Sequence, residues 1–209
     1  MSKPQSQEDV LYLQRACSVC GLYQGPLDGT WSPAISKAEA DLDAKVASIR
    51  AQYGLFDARS ERNIATLIPP AQDAARRFMI AAKSSGLIVR IISGSRTYAE
   101  QDALFAIGRT SDLGRKHVTN AKGGESNHNF GIAWDVGIFT ADGHYLTGAT
   151  PVEEASYKKL GAYIKAHVPG IEWGGDWTSF VDRPHYQLAT GYGVTEIRKR
   201  FEAGKSLLA

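Results

Sequence analysis

NHNFGIAWD, at residues 127–135, is the stretch around which we expect the fold to be built, together with DRPH at residues 182–185. His128, Asp135 and His185 are side chains of the kind that hold catalytic zinc. Three protein ligands leave one of the four zinc positions for water, and the ion lowers the pKa of that water from about 15.7 toward about 7. Asp182 adds a carboxylate that can move protons. The set suits metal-assisted hydrolysis of an amide.

Local sequence decides how these side chains are presented. Gly131 and the β-branched residue after it favour a loop that runs into a strand, so His128 is expected at a loop end and Asp135 on a strand. The ring of Pro184 disfavours a helical conformation for the residue before it. Residues 182–185 are therefore predicted as an extended or looped corner. Composition and spacing alone leave open an alternative to a metal site. In it, the two histidines only make ordinary hydrogen bonds, and the two aspartates lie on the surface.

The length, composition, charge and cysteine count of the chain exclude several classes of protein. A chain of 209 residues with 43% hydrophobic residues can bury a substantial core without covalent links. The 24 basic residues nearly balance the 22 acidic ones, so nucleic acid is not an expected partner. Cys17 and Cys20 are the two cysteines, which is too few for a disulfide framework. They are interpreted as two half-buried cysteines on one helix.

The sequence predicts neither a membrane span nor a signal peptide. No run of 18 apolar residues occurs, so no membrane span is predicted. Residues 1–9 are polar and lack the basic-then-apolar order of a signal peptide. The chain is therefore expected to be made in the cytoplasm without a signal peptide.

Apolar periodicity predicts an α+β fold, with a small and mainly antiparallel sheet flanked by helices, carrying the zinc site and preceded by a short helical region. The predicted helices are 8–22, 33–50, 70–85, 95–107, 152–168 and 194–203. The predicted strands are 87–93, 131–139 and 186–188. Residues 108–127 form a long polar loop, and such loops in compact domains are often functional.

Several motifs resemble one family of bacterial enzymes. Residues 126–135 match the S-x-H-x-x-G-x-A-x-D pattern of the D-alanyl-D-alanine carboxypeptidases, and residues 182–186 resemble their D/E-x-x-H-aromatic pattern. The chain is more closely similar to the L-alanyl-D-glutamate peptidase branch, which includes phage endolysins. That likeness covers roughly residues 65–190 and depends on the motifs SRTY at 95–98, GRT at 108–110, TNAKGG at 119–124 and EWGGDW at 172–177.

The resemblance implies roles for individual residues. The implied ligands of one zinc ion are His128, Asp135 and His185. Asp182 takes the position of the general base, with a shorter side chain than the glutamate of some relatives. Arg96 takes the position of an arginine near the scissile carbonyl oxygen, where a fixed cation stabilises the transition state; a structural salt bridge is the alternative.

Three further residues are weaker candidates for substrate binding. Ser126 is implied to contact substrate or to support a ligand, and capping of the loop explains it equally well. Trp173 is expected in a substrate groove or in the core. Asp176 is expected to bind substrate or to orient a ligand histidine, since such rings usually donate their other N–H to a carboxylate or carbonyl. A solvated aspartate is the alternative.

The N-terminal segment has a resemblance of its own. Residues 10–38 resemble the start of a three-helix peptidoglycan-binding module, and the likeness fades near residue 43. We therefore divide the chain into a helical region, 1–50, and a zinc peptidase domain, 51–209. Whether residues 1–50 bind the wall or only complete the core is left open.

The function implied is zinc-dependent hydrolysis of the L-alanyl-D-glutamate bond in peptidoglycan stem peptides. D-alanyl-D-alanine carboxypeptidase activity at the same site is one alternative. A non-catalytic wall-binding protein is another, although Asp182 argues against it. The chain is expected to be a monomer that leaves the cytoplasm through a holin-type pore or by lysis and then acts on the cell wall.

Overall fold

The computed structural model describes residues 6–209 and contains helices and short strands. The helices are α1 (Gln7–Val19), α2 (Pro33–Tyr53), α3 (Ala58–Ile64), α4 (Pro69–Ser84), α5 (Tyr98–Ala106), α6 (Pro151–His167) and α7 (Val194–Glu202). The strands are β1 (Ile88–Ser93), β2 (Ala133–Phe139), β3 (Tyr145–Leu146), β4 (Ile171–Trp173) and β5 (His185–Leu188). Two 3-10 turns, Asn127–Phe130 and Gly174–Asp176, complete the list.

The sheet confirms the predicted α+β class. Its strand order is β1-β2-β5-β4, with β3 paired to β2, and every pairing is antiparallel. The sequence did not predict β3 or β4, which have two and three residues, because so short a run carries no recognisable alternation. The helix α3 was also missed, because its seven residues are too few to show a helical repeat of apolar side chains.

The described residues fall into two compact units. One comprises the residues up to Ser48 together with 96–131 and 190–209, and the other comprises 49–95 and 132–189. Each unit joins segments that are distant in sequence, because the chain passes from one to the other more than once. The division into 1–50 and 51–209 stays a prediction.

In the first unit, α1 and the start of α2 enclose a small apolar core. Its buried members are Cys17, Tyr23, Ile35 and Ala38. The buried side chain of Gln14 fixes the turn between the helices, because it accepts from the N–H of Gly29 and donates to the carbonyl of Thr30. A buried amide that is fully paired in this way costs little and specifies one turn conformation.

A run of aromatic contacts links α1 to the 3-10 turn within the same unit. The ring centroid of Tyr12 lies 5.5 Å from that of Phe201 on α7, and Phe201 lies 5.4 Å from Phe130. Phe130 in turn meets the edge of Tyr98 at 6.3 Å. Tilted and edge-on contacts of this kind are favourable for aromatic pairs. The first helix therefore packs on the cluster that supports residues 127–130.

The two cysteines differ in part from the expected half-buried pair on one helix, because Cys17 on α1 is fully enclosed and Cys20 directly follows the end of α1. Cys17 is buried, Cys20 is half-buried, and neither forms a disulfide. Burial is the main reason that the pKa of the Cys17 thiol rises to about 12 and that of Cys20 to about 11. Both thiols are therefore protonated at neutral pH, and a protonated thiol is a poor nucleophile and a poor metal ligand.

In the second unit, one face of the sheet packs on α4. The ring of Phe78 on α4 lies 4.6 Å from that of Tyr186 and 6.1 Å from that of Trp134, centroid to centroid. Side chains alternate between the two faces of a strand. Because Trp134 and Tyr186 point to α4, Asp135 and His185 point to the opposite face.

Helix α3 covers the outer edge of β1. Ser60 Oγ accepts from the N–H of Ile91 at 2.9 Å, and the side-chain amide of Asn63 donates to the Ile91 carbonyl at 2.9 Å. These bonds satisfy groups that an edge strand would otherwise leave open to another chain. This part of the β1 edge is thereby covered.

The helices give no sign of a membrane segment. The longest, α2, has 21 residues and carries charges along its length, including the exposed Lys37–Asp41 pair. Within residues 6–209, no helix combines the length and the apolar character that a bilayer span requires.

Candidate active site

His128 lies in a turn that neighbouring backbone holds firmly. The 3-10 turn ends at Gly131, whose φ of 70° is a left-handed conformation that favours glycine. The buried amide of Asn129 donates to the carbonyl of Arg96 at 3.0 Å and accepts from the N–H of Gly124 at 3.0 Å. The Arg96 N–H donates to the His128 carbonyl at 3.1 Å. His128 itself is buried, and these hydrogen bonds fix the backbone from which its ring extends.

Asp135 and His185 are partners across neighbouring strands. They lie opposite each other in the antiparallel pairing of β2 with β5. The ladder hydrogen bonds on either side run from Val136 N–H to the Pro184 carbonyl and from Leu188 N–H to the Ile132 carbonyl. Asp135 and His185 therefore form a non-hydrogen-bonded pair, the type whose Cα atoms approach to about 4.5 Å. Asp135 Oδ1 lies 3.3 Å from His185 Nδ1.

The three predicted ligand residues come together. His128, Asp135 and His185 each offer a ligand atom, and these atoms lie within 4.8 Å of one another. Tetrahedral zinc with bonds of about 2.0–2.1 Å separates its ligand atoms by about 3.3 Å, which matches the Asp135–His185 distance. Two imidazoles and one carboxylate also suit zinc by donor type. The residues present therefore fit a zinc ion.

Asp182 stands at the corner that leads into β5. Its N–H donates to the Gly174 carbonyl at 2.9 Å, and its own carbonyl accepts from the N–H of His185 at 3.3 Å. A Cβ on Gly174 would lie 2.5 Å from the Asp182 carbonyl oxygen and 3.0 Å from His185 Cβ. The corner thus needs glycine at position 174 because two backbone segments meet there.

Comparison with known proteins supplies the family. Residues 119–188 match the family model described as D-alanyl-D-alanine carboxypeptidase. Over 124 residues the chain is 36% identical to the peptidoglycan L-alanyl-D-glutamate endopeptidase CwlK of Bacillus subtilis, covering 58% of this chain and 73% of that protein. The chain belongs to this peptidase family. The resemblance predicted from the motifs is confirmed.

Two further similarities cover parts of the chain. It is 30% identical over 145 residues to the L-alanyl-D-glutamate peptidase of a Listeria phage, covering 69% of this chain and 46% of the phage protein. It is 25% identical to the Serratia marcescens L-Ala D-Glu endopeptidase ChiX in its crystal structure, with a TM-score of 0.45 and coverage of 64% of this chain and 89% of that one. The segment that matches the family model contains His128, Asp135 and His185.

Arg96 follows β1 and is half-buried. Its Nη1 donates to Gln101 Oε1 at 3.2 Å. Gln101 is fully buried and donates through Nε2 to the Ala121 carbonyl at 2.9 Å and to Thr119 Oγ1 at 3.3 Å. The guanidinium is therefore linked through one buried amide to the start of the segment that the family model matches. A role beside the scissile carbonyl stays a prediction.

The three weaker candidates occupy different environments. Ser126 is half-buried at the start of the 3-10 turn and makes no side-chain cap there. Trp173 is buried, its indole N–H donates to the Arg183 carbonyl at 2.8 Å, and its ring lies where a Cβ on Gly161 of α6 would be. Trp173 thus packs as a core residue, which was the alternative expected for it. Substrate contacts by Ser126 and Trp173 stay predictions.

Asp176, which was expected to bind substrate or to orient a ligand histidine, pairs in the structure with Lys165. Both carboxylate oxygens of Asp176 lie 2.8 Å from Lys165 Nζ, on the protein surface. His185 Nε2 lies instead 3.0 Å from Gln187 Oε1. Sequence reasoning missed Gln187 because a glutamine in a four-residue strand has no distinctive pattern; its spacing of two residues from His185 is the available signal, since it places both on one face. Substrate binding by Asp176 stays a prediction.

Electrostatics at His185 balance two opposing effects. Burial alone disfavours the charged ring and lowers its pKa. The hydrogen bond and charge of Asp135 outweigh that effect, with further contributions from Gln187 and Asp182, so the pKa of His185 is raised above its usual value. Trp177 packs over the ring at 4.9 Å between centroids. The carboxylates near the ring therefore favour positive charge at His185.

Replacing Gly174 with alanine should disturb the Asp182–His185 corner. The added methyl group would overlap the Asp182 backbone, and overpacking of this kind costs about 1–3 kcal/mol of unfolding free energy. We expect Gly174→Ala to lower the unfolding free energy by that amount and to weaken zinc binding. Denaturant unfolding and zinc titration measure the two effects.

The matched control is Gly114→Ala, because nothing lies within 4 Å of a Cβ added at Gly114. That variant should change the unfolding free energy by less than about 0.5 kcal/mol and leave zinc binding unchanged. Equal stability and zinc affinity in both variants would show that the corner tolerates a side chain.

Proposed function

We propose that this chain is a zinc-dependent endopeptidase that hydrolyses the L-alanyl-D-glutamate bond of peptidoglycan stem peptides. The observation that carries the proposal is the meeting of His128, Asp135 and His185 within 4.8 Å, in a chain that is 36% identical to a peptidoglycan L-alanyl-D-glutamate endopeptidase. The Listeria phage relative carries the same activity in its name. The geometry supports hydrolytic metal chemistry, and the relatives support this particular bond.

The three ligand residues divide the work of holding the metal. Asp135 supplies negative charge, and the two histidines supply neutral nitrogen donors from buried positions. A zinc ion held there would act as a Lewis acid that polarises the scissile carbonyl and makes water nucleophilic at neutral pH. The site keeps a position for substrate, because three protein ligands do not complete a tetrahedral set.

Asp182 is the proposed proton carrier. Its backbone is fixed through Gly174 and His185, and its side chain is half-buried rather than enclosed. A carboxylate in that setting can accept a proton from the attacking water and pass it to the leaving amine of D-glutamate. The C–N bond then breaks with the L-alanyl carboxylate and the free amine as products.

Arg96 is the proposed stabiliser of developing charge. A guanidinium stays protonated under all physiological conditions, and Gln101 restrains its Nη1. Negative charge grows on the carbonyl oxygen as water adds, so a cation fixed nearby stabilises the transition state more than the ground state.

Two alternatives make different products or none. A D-alanyl-D-alanine carboxypeptidase, the activity after which the matching family model is described, would release free D-alanine. A non-catalytic wall-binding protein would release nothing, and the presence of Asp182 beside an assembled ligand set argues against it. The names of the Bacillus subtilis and Listeria phage relatives favour the endopeptidase.

Mass spectrometry of digested peptidoglycan separates these possibilities. We expect purified wall incubated with the chain and zinc to yield peptides that begin with D-glutamate, and glycan strands that keep only L-alanine. A strong chelator should stop the reaction, and added zinc should restore it. Release of D-alanine without cleavage between L-alanine and D-glutamate would establish the carboxypeptidase, and unchanged wall in every sample would leave only a binding role.

The variant Asp182→Asn tests the proton carrier. The amide keeps the size of the side chain but cannot accept the proton, and loss of a general base costs about 100- to 10,000-fold in rate. We therefore expect kcat to fall within that range while the zinc content by elemental analysis stays at one ion per chain.

The control is Asp41→Asn, the same chemical change on the exposed surface of α2. It should keep the kcat of the unaltered chain. A near-normal kcat for Asp182→Asn would remove Asp182 from the mechanism, whereas loss of zinc from that variant would make Asp182 a contributor to the metal site.

We also propose that residues 1–50 bind the cell wall. The resemblance of residues 10–38 to a peptidoglycan-binding module supports this role, and so does the separate apolar core around Ile35. The contact between Tyr12 and Phe201 means that deleting α1 would also uncover α7. A point change within the small core is therefore a cleaner test than truncation.

The variant Ile35→Ala opens a cavity in that core, and such changes cost about 2–5 kcal/mol. Built on the Asp182→Asn background to prevent digestion, it should cosediment less with purified wall than the parent does. In the otherwise unaltered chain, Ile35→Ala should leave the turnover of a small soluble stem peptide intact. Unchanged cosedimentation would restrict residues 1–50 to a structural role.

The proposed substrate also sets where the chain acts. Peptidoglycan lies outside the inner membrane, so we place its action at the cell wall. Passage through a holin-type pore and action as a monomer are parts of the same proposal.

A further inference from the structure

The second ring nitrogen of His185 begins a chain of hydrogen bonds that leads away from the ligand cluster. His185 Nε2 lies 3.0 Å from Gln187 Oε1. The amide nitrogen of Gln187 donates to Glu172 Oε2 at 2.8 Å. His185 and Gln187 are buried, whereas Glu172 is exposed at the far end. One ligand is thus connected to the surface through two side chains.

Strand register places these three side chains side by side. Gln187 lies two residues after His185 on β5, so both point to the same face. Glu172 on β4 is the direct cross-strand partner of Gln187. The three therefore form a row on the face of the sheet that carries Asp135, on the side remote from α4.

The row has a defined direction because its end is a carboxylate. A carboxylate oxygen accepts hydrogen bonds, and the NH₂ group of the Gln187 amide is the group that faces Glu172 Oε2, at 2.8 Å. The amide oxygen then faces His185, and an oxygen can only accept. A neutral ring that donates to this oxygen has its proton on Nε2, and its lone pair is then on Nδ1, the nitrogen that lies 3.3 Å from Asp135 Oδ1.

We propose that Gln187 and Glu172 are positioning residues that fix the His185 ring in the tautomer and orientation needed to bind the metal through Nδ1. This inference deepens the metal site on which the proposed function depends. Neither residue touches the metal or substrate in this role. Glu172 acts through Gln187, and Gln187 acts through His185.

The advantage of this arrangement is that Nδ1 of His185 has its lone pair free of a proton before the metal binds. If the amide turned around, its NH₂ group would face Nε2 and favour the tautomer with the proton on Nδ1. That proton would then have to leave before the metal could bind. Hydrogen-bond partners of metal-bound histidines typically contribute about 10- to 100-fold in metal affinity.

The experiment measures zinc affinity by competition with a chromophoric chelator, using the full chain. Gln187→Met removes the acceptor while keeping the length of the side chain, and we expect zinc to bind about 10- to 100-fold more weakly. Glu172→Gln frees the Gln187 amide to turn either way, so its loss should be smaller. Glu196→Gln, the same change on α7 where Glu196 pairs with Arg200, should keep the affinity of the unaltered chain.

The double variant Glu172→Gln with Gln187→Glu is the decisive sample. The amide now at position 172 donates to the carboxylate now at position 187, which again accepts from His185 Nε2. The direction of the row is thereby rebuilt with the two side chains exchanged. We expect its zinc affinity to return to that of the unaltered chain, a recovery that a merely structural role for the two residues does not predict.

A second readout follows the ring itself. In the zinc-loaded chain, nitrogen-detected NMR of the histidine rings should show His185 protonated at Nε2, with that proton protected from exchange with water. Glu172→Gln should reduce the protection and the double variant should restore it. If Gln187→Met fails to fold, the comparison of Glu172→Gln with the double variant still tests the proposal, because Glu172 is exposed.

The outcomes separate this inference from the proposed function. Equal zinc affinity in all variants would overturn the positioning role. So would a double variant whose loss of zinc affinity equals the sum of the losses from the two single changes. Neither readout requires turnover. A chain that binds zinc in the predicted order of affinities but fails to cut stem peptides would overturn the proposed function alone, and active variants of unchanged affinity would overturn this inference alone.

Discussion

The pairing of Asp135 with His185 across β2 and β5 is the constraint on which the rest of the site depends. The two lie at a non-hydrogen-bonded position of an antiparallel ladder, where opposite side chains approach most closely. A slip of one residue in either strand would turn its candidate ligand toward α4 and put a neighbouring non-ligand side chain in its place. Because the apolar side chains on the other face fit only one register, hydrophobic packing also places the polar site.

The site face of the sheet concentrates polar groups that burial would otherwise penalise. His185 and Gln187 are almost fully enclosed, and a buried polar group costs about 1–3 kcal/mol when its hydrogen bonds are not satisfied. The row from His185 through Gln187 to Glu172 satisfies them and ends at an exposed carboxylate. The same hydrogen bonds therefore stabilise the interior and orient the ring of His185.

Two glycines allow the backbone conformations that place His128 and Asp182 at the site. Gly131 ends the turn that carries His128 with a left-handed conformation, and Gly174 allows the backbone of Asp182 to pass close by. Both glycines belong to motifs that also contain reactive side chains. The same short stretches thus supply the chemical groups and the backbone conformations that aim them.

The sequence alone predicted the three residues that meet in the candidate metal site, the helices α2, α4 and α6, the strand β1 and the family, because each shows as a motif or a periodic pattern within short stretches of the chain. Only the tertiary structure decided that Gln187, rather than Asp176, meets His185, that Trp173 packs in the core, and that β4 exists at all. These outcomes depend on which segments pair and in which register. Alternation along one strand says which side a residue faces, but the residues opposite it come from distant segments, and only the packed fold brings them together.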